Sequence, residues 1–142
     1  MRPLFAALFA LLLALPAAGP ALADDAADAR SEVRQVIESQ LDAFRRDDGA
    51  AAFAYASPGI QARFHDPQTF MRMVREGYAM VYRPQEVEFR RFRADGAEAV
   101  QEILFVGPDG QVSLALYRLE RQPDGRWRIN SVAIRTADEA TS

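Results

Sequence analysis

The residues best suited to chemistry are a carboxylate, a phenol and an amide on neighbouring segments of the C-terminal half: Glu102, Tyr117 and Asn130. If tight turns pair these segments, Glu102 lies opposite Ala115 and beside Tyr117, which lies opposite Asn130. A carboxylate on the core side of a sheet loses hydration and holds a proton more readily, which suits a general base. Tyr117 and Asn130 would then polarise a substrate oxygen. The alternatives are a carboxylate held by local donors, or a register shift that turns Glu102 to water.

His65 is the single histidine of the chain and the second candidate for acid–base chemistry. It precedes Asp66-Pro67, a pair that starts a helix because Asp caps the helix and proline fits its first position. The more ordinary interpretation of His65 is an exposed loop residue. One histidine and no cysteine cannot form a usual zinc site. We expect no metal and no cofactor.

Other polar and aromatic side chains are candidates for ligand contacts. Gln40 interrupts the apolar stripe of the first predicted helix, where an amide without a hydrogen bond costs about 1–3 kcal/mol. It therefore needs a partner, which is a strand backbone group, Tyr78 or a ligand. Tyr55, Tyr78 and Tyr82 are placed to line the open end of a cavity, although aromatic residues at helical spacing are more often core residues. Asn130 is also a candidate for a ligand contact.

The first half of the domain is predicted to be helical. Between Val33 and Arg46, apolar residues recur at the helical period and share one side: Val36, Ile37, Leu41 and Phe44. Further helices are predicted after the capping pairs Ser57-Pro58 and Asp66-Pro67. The last of them ends near Gly77.

From Gln85 the period of the apolar residues changes to two. Four runs rich in β-forming residues are separated by turns that contain Asp-Gly: 86–93, 98–106, 111–121 and 126–135. This predicts a four-stranded antiparallel meander. We expect its turns to pair Ala94 with Ala97, Val106 with Gln111, and Arg121 with Arg126.

That pairing predicts which face of the sheet receives the helices. The core-facing residues would be Val87, Phe89, Val100, Glu102, Leu104, Val106, Ala115, Tyr117, Leu119, Asn130, Val132 and Ile134. The opposite face would carry more apolar groups than a soluble monomer leaves in water: Phe92, Ile103, Phe105, Leu114, Leu116, Trp127 and Ile129. We therefore predict a homodimer through Leu114, Leu116, Trp127 and Ile129. The alternative is a sheet that curls to cover them.

The first 23 residues have the pattern of a cleavable signal peptide. Arg2 precedes an apolar run from Leu4 to Leu15, and Ala21-Leu22-Ala23 forms a cleavage sequence. The run is shorter than the ~20 residues needed to cross a bilayer. We expect export, cleavage after Ala23 and no membrane insertion afterwards. Residues 24–30 would be a flexible lead-in, 31–136 the folded domain and 137–142 a disordered tail.

Composition excludes several classes of function. The chain has no cysteine, which excludes disulfides and thiol catalysis. Its formal net charge of −3, without a dense basic stripe, disfavours nucleic acid as a partner. Phosphate-binding loops, the nucleophile elbow of hydrolases and the zinc-protease motif are absent from the sequence.

Three stretches carry a resemblance to a known family: 36–44, 56–64 and 70–84, the last containing Gly-Tyr-x-x-Val-Tyr-Arg-Pro. They resemble the DUF4864 family of exported bacterial proteins, and the helices-then-meander order resembles the NTF2-like superfamily. The resemblance implies a periplasmic α+β cone, with N-terminal helices packed on a curved antiparallel sheet. It implies no reaction. Members of the superfamily include steroid isomerases, dehydratases and binding or structural modules, so the fold alone does not choose among them.

We therefore expect a periplasmic domain that binds a small apolar or amphipathic molecule, or a protein partner, without catalysis. One alternative is an isomerase- or dehydratase-like enzyme that uses Glu102 or His65 inside the cone. Another is a structural dimeric module.

Overall fold

The computed structural model describes residues 19–136, with side chains from Asp24 onward. Within this range five helices precede four strands: α1 (Gly19–Arg45), α2 (Gly49–Ala54), α3 (Pro58–Phe64), α4 (Pro67–Gly77), α5 (Ala79–Tyr82), β1 (Glu86–Asp95), β2 (Glu98–Val106), β3 (Val112–Arg121) and β4 (Trp127–Thr136). The strands form one open antiparallel sheet in the order β1-β2-β3-β4. The predicted α+β class and the four-stranded meander are confirmed.

The short helices begin where capping side chains satisfy their first backbone N–H groups. Ser57 Oγ accepts a hydrogen bond from Ile60 N at 3.3 Å, and Asp66 Oδ1 accepts one from Thr69 N at 2.7 Å. In both helices proline follows the cap, as the sequence predicts. These caps fix the directions in which α3 and α4 leave the preceding loops.

Helix α1 begins earlier than the sequence predicts. Residues 24–30, predicted to be a flexible lead-in, are helical, and Ala29 is buried in the core. Alanine has the highest helix propensity, and Ala29, Val33 and Ile37 continue one buried face at a spacing of four. The predicted signal peptide and the predicted tail lie outside the residues whose side chains are described. No helix within the described range is long and apolar enough to span a membrane.

All three pairings predicted at the turns differ from the observed ones. Ala94 pairs with Ala99 and Arg121 with Trp127, and the register of β2 against β3 is shifted by one residue. Val106 pairs with Val112 instead of Gln111, because the connecting loop is closed by a hydrogen bond from Gly107 N to Gln111 O at 2.9 Å. A shift of one residue moves every side chain of a strand to the other face. The buried residues of β2 are therefore Ala99, Gln101, Ile103 and Phe105.

Every side chain of β2 was therefore predicted on the wrong face of the sheet. Val100, Glu102, Leu104 and Val106, predicted to face the helices, lie on the outer face. The strand β3 has the predicted orientation, since Ala115, Tyr117 and Leu119 are buried.

Register shifts in β1 and β4 explain why other residues were predicted on the wrong face of the sheet. The register of β1 shifts between Phe89 and Phe92, so both rings pack against the core. The register of β4 shifts near Asn130, so that Trp127 and Ile129 are buried on the same side as Val132. A β-bulge adds one residue and breaks the alternation of faces. Consequently the prediction that Phe92, Trp127 and Ile129 face outward is wrong.

Helix α1 is fastened to the end of the sheet by polar contacts as well as by its apolar stripe. Trp127 Nε1 donates a hydrogen bond to Glu32 Oε2 at 3.0 Å. The guanidinium of Arg121 lies 4.9 Å from the centre of the Trp127 ring and 3.6 Å from Glu32. This contact explains how a tryptophan can be 2% exposed while its N–H group is satisfied.

Two neighbouring substitutions test the orientation of β2. Ile103→Ala should lower the free energy of unfolding by about 2–5 kcal/mol, because Ile103 is fully buried. Leu104→Ala on the outer face should cost less than about 1 kcal/mol when the protein is dilute enough to be monomeric. Urea unfolding of both variants measures the difference. The reverse order of the two effects would restore the register predicted from the turns.

Candidate ligand-binding site

A cavity of about 380 Å³ lies between the helices and the inner face of β3 and β4. Its apolar lining residues are Phe44, Ala56, Ile60, Phe64, Phe70, Met73, Val74, Val81, Ile129 and Val132. Its polar lining residues are Gln40, Arg63, Tyr78, Tyr117, Asn130 and Ser131. The cavity therefore brings together Gln40, Tyr78, Tyr117 and Asn130 from the residues singled out in the sequence.

Tyr117 is the central polar group of this cavity. It lies on β3, between Gln101 of β2 and Val132 of β4, and its ring centre is 6.3 Å from that of Phe105. The residue is fully buried, and its hydroxyl has no hydrogen-bond partner among the described residues. A buried hydroxyl without a partner costs about 1–3 kcal/mol. A ligand oxygen that reached this hydroxyl would remove that cost.

Burial also determines the protonation state of Tyr117. It raises the pKa of the hydroxyl above the ordinary value of 10.0, and the nearby Tyr78 raises this pKa further. The apolar surroundings disfavour the phenolate anion. At neutral pH Tyr117 is a hydrogen-bond donor and not a base.

Gln40 joins two helices beside the cavity. It is 4% exposed, and its Nε2 donates to Ala52 O of α2 at 3.1 Å. The partner that the sequence required is thus a helix carbonyl, rather than a strand or Tyr78. Gln40 positions α2 against α1 and also contributes to the lining.

Asn130 is placed by a short connection between the loop before α3 and β4. Ser57 N donates to Ile129 O at 2.8 Å, and Ile129 N donates to Tyr55 O at 2.8 Å. Ser57 Oγ then donates to Asn130 Oδ1 at 2.8 Å. This bond orients the Asn130 amide, and its NH₂ group adds a donor to the residues that line the cavity.

Tyr78 lies where α4 ends and α5 begins. Its hydroxyl donates to Val132 O on β4 at a long 3.5 Å. This contact crosses from the helices to the sheet next to Tyr117. Such a weak bond is easily exchanged for one to a ligand.

Tyr82 belongs to a different cluster. Its hydroxyl donates to the Asp47 carboxylate, and this bond, helped by Arg83, lowers the pKa of Asp47. Arg83 lies 4.0 Å above the Tyr82 ring and donates to Phe44 O at 2.6 Å and to Asp47 Oδ2 at 3.0 Å. The Val-Tyr-Arg-Pro sequence therefore ties α5 to the end of α1. This structural role was missed in the sequence, because Arg83 and Phe44 are 39 residues apart and no local signal joins them.

Besides Tyr82, three further predicted site residues lie away from the cavity. Glu102 is on the outer face, opposite Leu116, and Tyr117 pairs with Val132 instead of Asn130. The predicted cluster of Glu102 with Tyr117 and Asn130 is therefore wrong, because of the register of β2 and the register shift in β4. His65 is exposed and ends α3 with a positive φ of 70°. Tyr55 lines a separate surface depression near Trp127.

The cavity has little means of moving protons. None of its described lining residues carries a carboxylate or an imidazole, and its charged member is Arg63, which is exposed. The Arg63 guanidinium lies 5.7 Å from the centre of the Phe64 ring and forms no ion pair within the described range. In that range no three His, Asp or Glu side chains are grouped to hold a metal.

A larger and more open cleft, of about 740 Å³, lies between the first half of α1 and β1. Its guanidinium groups already have partners in the protein. Arg34 is 4.4 Å from the centre of the Phe89 ring and 2.7 Å from Glu38, while Arg30 is 5.8 Å from the Phe92 ring. The buried Gln101 at its base donates to backbone carbonyls of β1. We regard the smaller cavity as the stronger site because it contains an unpartnered buried donor.

The fold and the cavity define an α+β domain in which helices cover one face of an open antiparallel sheet. The family described as "Domain of unknown function (DUF4864)" matches residues 26–142, and the chain belongs to this family. No curated protein and no solved structure matches the chain.

Replacing Tyr117 with Phe tests the state of its hydroxyl. At neutral pH, Tyr117→Phe should keep or raise the free energy of unfolding, by up to about 1 kcal/mol, because a buried hydroxyl without a partner is removed. Above pH 10.0 the unfolded wild type ionises Tyr117 while the folded state retains the proton. The wild type should therefore lose up to ~1.4 kcal/mol per pH unit that the variant does not lose.

Urea unfolding from about pH 8 to about pH 11 measures both effects. Tyr55→Phe is the control, since it removes a tyrosine outside the cavity, and it should keep the wild-type pH dependence. Equal pH dependence of the wild type and Tyr117→Phe would show that the Tyr117 hydroxyl is not isolated from water.

Proposed function

We propose that the protein is a non-catalytic module that binds a small, largely apolar molecule in the cavity around Tyr117. The hydroxyl of Tyr117 donates a hydrogen bond to a neutral oxygen of this molecule. The observation that carries the proposal is a fully buried donor without a partner among the described residues, on a residue that lines an apolar cavity.

The size and lining of the cavity support this function. Its volume of about 380 Å³ is near the lower end of the ~300–1,000 Å³ range of small-molecule sites. Such sites combine an apolar wall with a few polar groups that fix orientation. Here the wall is formed by ten apolar side chains, and the orienting groups are Tyr117 and Asn130.

The chemistry of the ligand follows from the donors. Tyr117 O–H and the Asn130 NH₂ group both donate, so the ligand supplies acceptors such as a carbonyl, ether or hydroxyl oxygen. The interior holds no charged side chain among the described lining residues, which suits a neutral body. Arg63 at the exposed rim suits an anionic group at the outer end. The ligand class is therefore apolar to amphipathic, with a neutral oxygen inside.

The enzyme alternative receives less support from the site. An isomerase or dehydratase needs a group that moves a proton within hydrogen-bonding distance of the substrate. Glu102 faces the other side of the sheet, and His65 is in an exposed turn. Tyr117 is held in its protonated form by burial.

The proposal includes a location and a superfamily. The signal-peptide pattern of residues 1–23 supports export to the periplasm. Helices on one face of the sheet, register shifts in β1 and β4, and a cavity between the two layers support membership of the NTF2-like superfamily. In such a fold bulges bend the strands and open space above the sheet.

Native mass spectrometry of the protein purified from its own cells tests the proposal. We expect an added mass that is lost on denaturation and is chemically unchanged when recovered. Tyr117→Phe should lower the affinity for the recovered molecule by about 2- to 10-fold, since one hydrogen bond is lost.

Ser113→Ala is the matched control. Ser113 Oγ is also buried without a partner among the described residues, but it does not line the cavity. This variant should keep the bound molecule at the wild-type level. Equal loss in both variants would point to a general effect on folding, and turnover of the recovered molecule by the protein would contradict a purely binding role.

A further inference from the structure

The face of the sheet turned away from the helices is rich in aliphatic side chains. Its members on β2 and β3 are Val100, Leu104, Val106, Val112, Leu114 and Leu116. Each is partly exposed, and none packs against the core cluster. We call this set the outer aliphatic patch. It is independent of the cavity, which lies on the other face.

A row of four side chains crosses this patch from one edge of the sheet to the other. Glu88 pairs with Leu104, and Leu104 pairs with Leu114. Leu114 then pairs with Arg135. The row therefore reads acid, leucine, leucine, base, in the order β1 to β4.

All four side chains of this row point outward. Phe89 on β1 and Ile134 on β4 pack against the core, and neighbouring residues of a strand point to opposite faces. Glu88 and Arg135 are both exposed, and Glu88 also lies 3.4 Å from the guanidinium of Arg90 on its own strand. The two charges cannot pair within one chain, because three strand spacings of about 4.8 Å separate their strands by roughly 14 Å.

We propose that the outer aliphatic patch binds a second copy of this chain, face to face, about a two-fold axis parallel to the strands. This rotation places β1 of one copy over β4 of the other and β2 over β3. The row acid-leucine-leucine-base is then matched with its own reverse. Leu104 meets Leu114 of the second copy, and Glu88 meets its Arg135, each contact occurring twice.

This arrangement corrects the interface predicted from the sequence. Leu114 and Leu116 remain in it, whereas Trp127 and Ile129 are core residues. Leu104, Val106 and Val112 take their place. Packed sheets keep their strand directions within about 30° of each other, and the long side chains of Glu88 and Arg135 can span the resulting offset.

The same axis gives Glu102 a role that does not require catalysis. Glu102 lies inside the patch, next to Val100 along β2. Val100 pairs with Arg118 in its own chain, so Arg118 of the second copy lies above Val100. The guanidinium of this Arg118 is then within reach of the Glu102 carboxylate. A carboxylate enclosed in an apolar interface needs such a partner.

The area of the face is of the same order as that of a standard interface. Four strands spaced by about 4.8 Å, with lengths of about 30 Å, present a surface of roughly 500 Å². Standard interfaces bury about 800 Å² of accessible surface on each partner. Because side chains make accessible surface larger than the flat area, the two values are of the same order.

Charge reversal tests the axis directly. Sedimentation of the purified protein at micromolar concentration should show a dimer. Glu88→Arg and Arg135→Glu should each raise its dissociation constant by about tenfold or more, since two attractive pairs become repulsive. Glu88→Arg combined with Arg135→Glu should restore most of the affinity, because the reversed charges again match across the axis.

Two further variants separate interface from fold. Glu76→Arg makes the same charge change on the exposed side of α4 and should leave the dimer unchanged. Leu116→Asp should give a monomer that keeps the wild-type circular dichroism spectrum. A wild-type monomer at about 100 μM, a dimer insensitive to Leu116→Asp, or no recovery in the double charge reversal would overturn the proposal. A monomer that co-purifies with a different protein on this face would overturn it as well.

Discussion

The pairing of β2 with β3 decides which side chains of the sheet face the helices. The loop between them uses residues 107–111, closed by the hydrogen bonds from Gly107 N to Gln111 O and from Gly110 N to Gly107 O. Gly110 has a φ of 82°, a conformation that favours glycine. With this loop Val106 must pair with Val112. One residue fewer would exchange the two faces of β2 and turn Glu102 into the core.

The register of β2 against β3 determines which side chains lie on the inner face of the sheet and which on the outer face. On the inside, Ile103 and Phe105 complete a core with α1, and Tyr117 is left at the wall of a cavity. Beside the cavity, Gln40 is bonded to α2 and Asn130 to the capping residue of α3. On the outside, the leucines of β2 and β3 remain uncovered by the described helices. Binding a ligand inside and a second copy outside are therefore compatible in the proposed account.

The positions of the helices and strands were more predictable from the sequence than the face of the sheet on which each side chain lies. Capping residues and turn sequences are local signals, and they predicted the starts of α3 and α4 and the four strands. Both alternations of β2 are mostly apolar, so periodicity could not choose between them. One relevant signal was overlooked: the inward alternation contains Gln101 and the outward one contains Glu102, and burying an amide costs less than burying a carboxylate. The bulges of β1 and β4 have no comparable signal, which is why Phe92 and Trp127 were misplaced.

Tyr117 is the central group of the proposed site, and its hydroxyl is buried and remains protonated. Carbon-13 NMR of protein labelled at the tyrosine ζ-carbons reports the ionisation of each phenol directly, and the chain has 4 tyrosines. The Tyr117 signal is identified by its disappearance in Tyr117→Phe. We expect this signal to remain at the position of a protonated phenol up to about pH 11, as burial requires. A Tyr117 signal that titrates around the ordinary value of 10.0 would contradict the account.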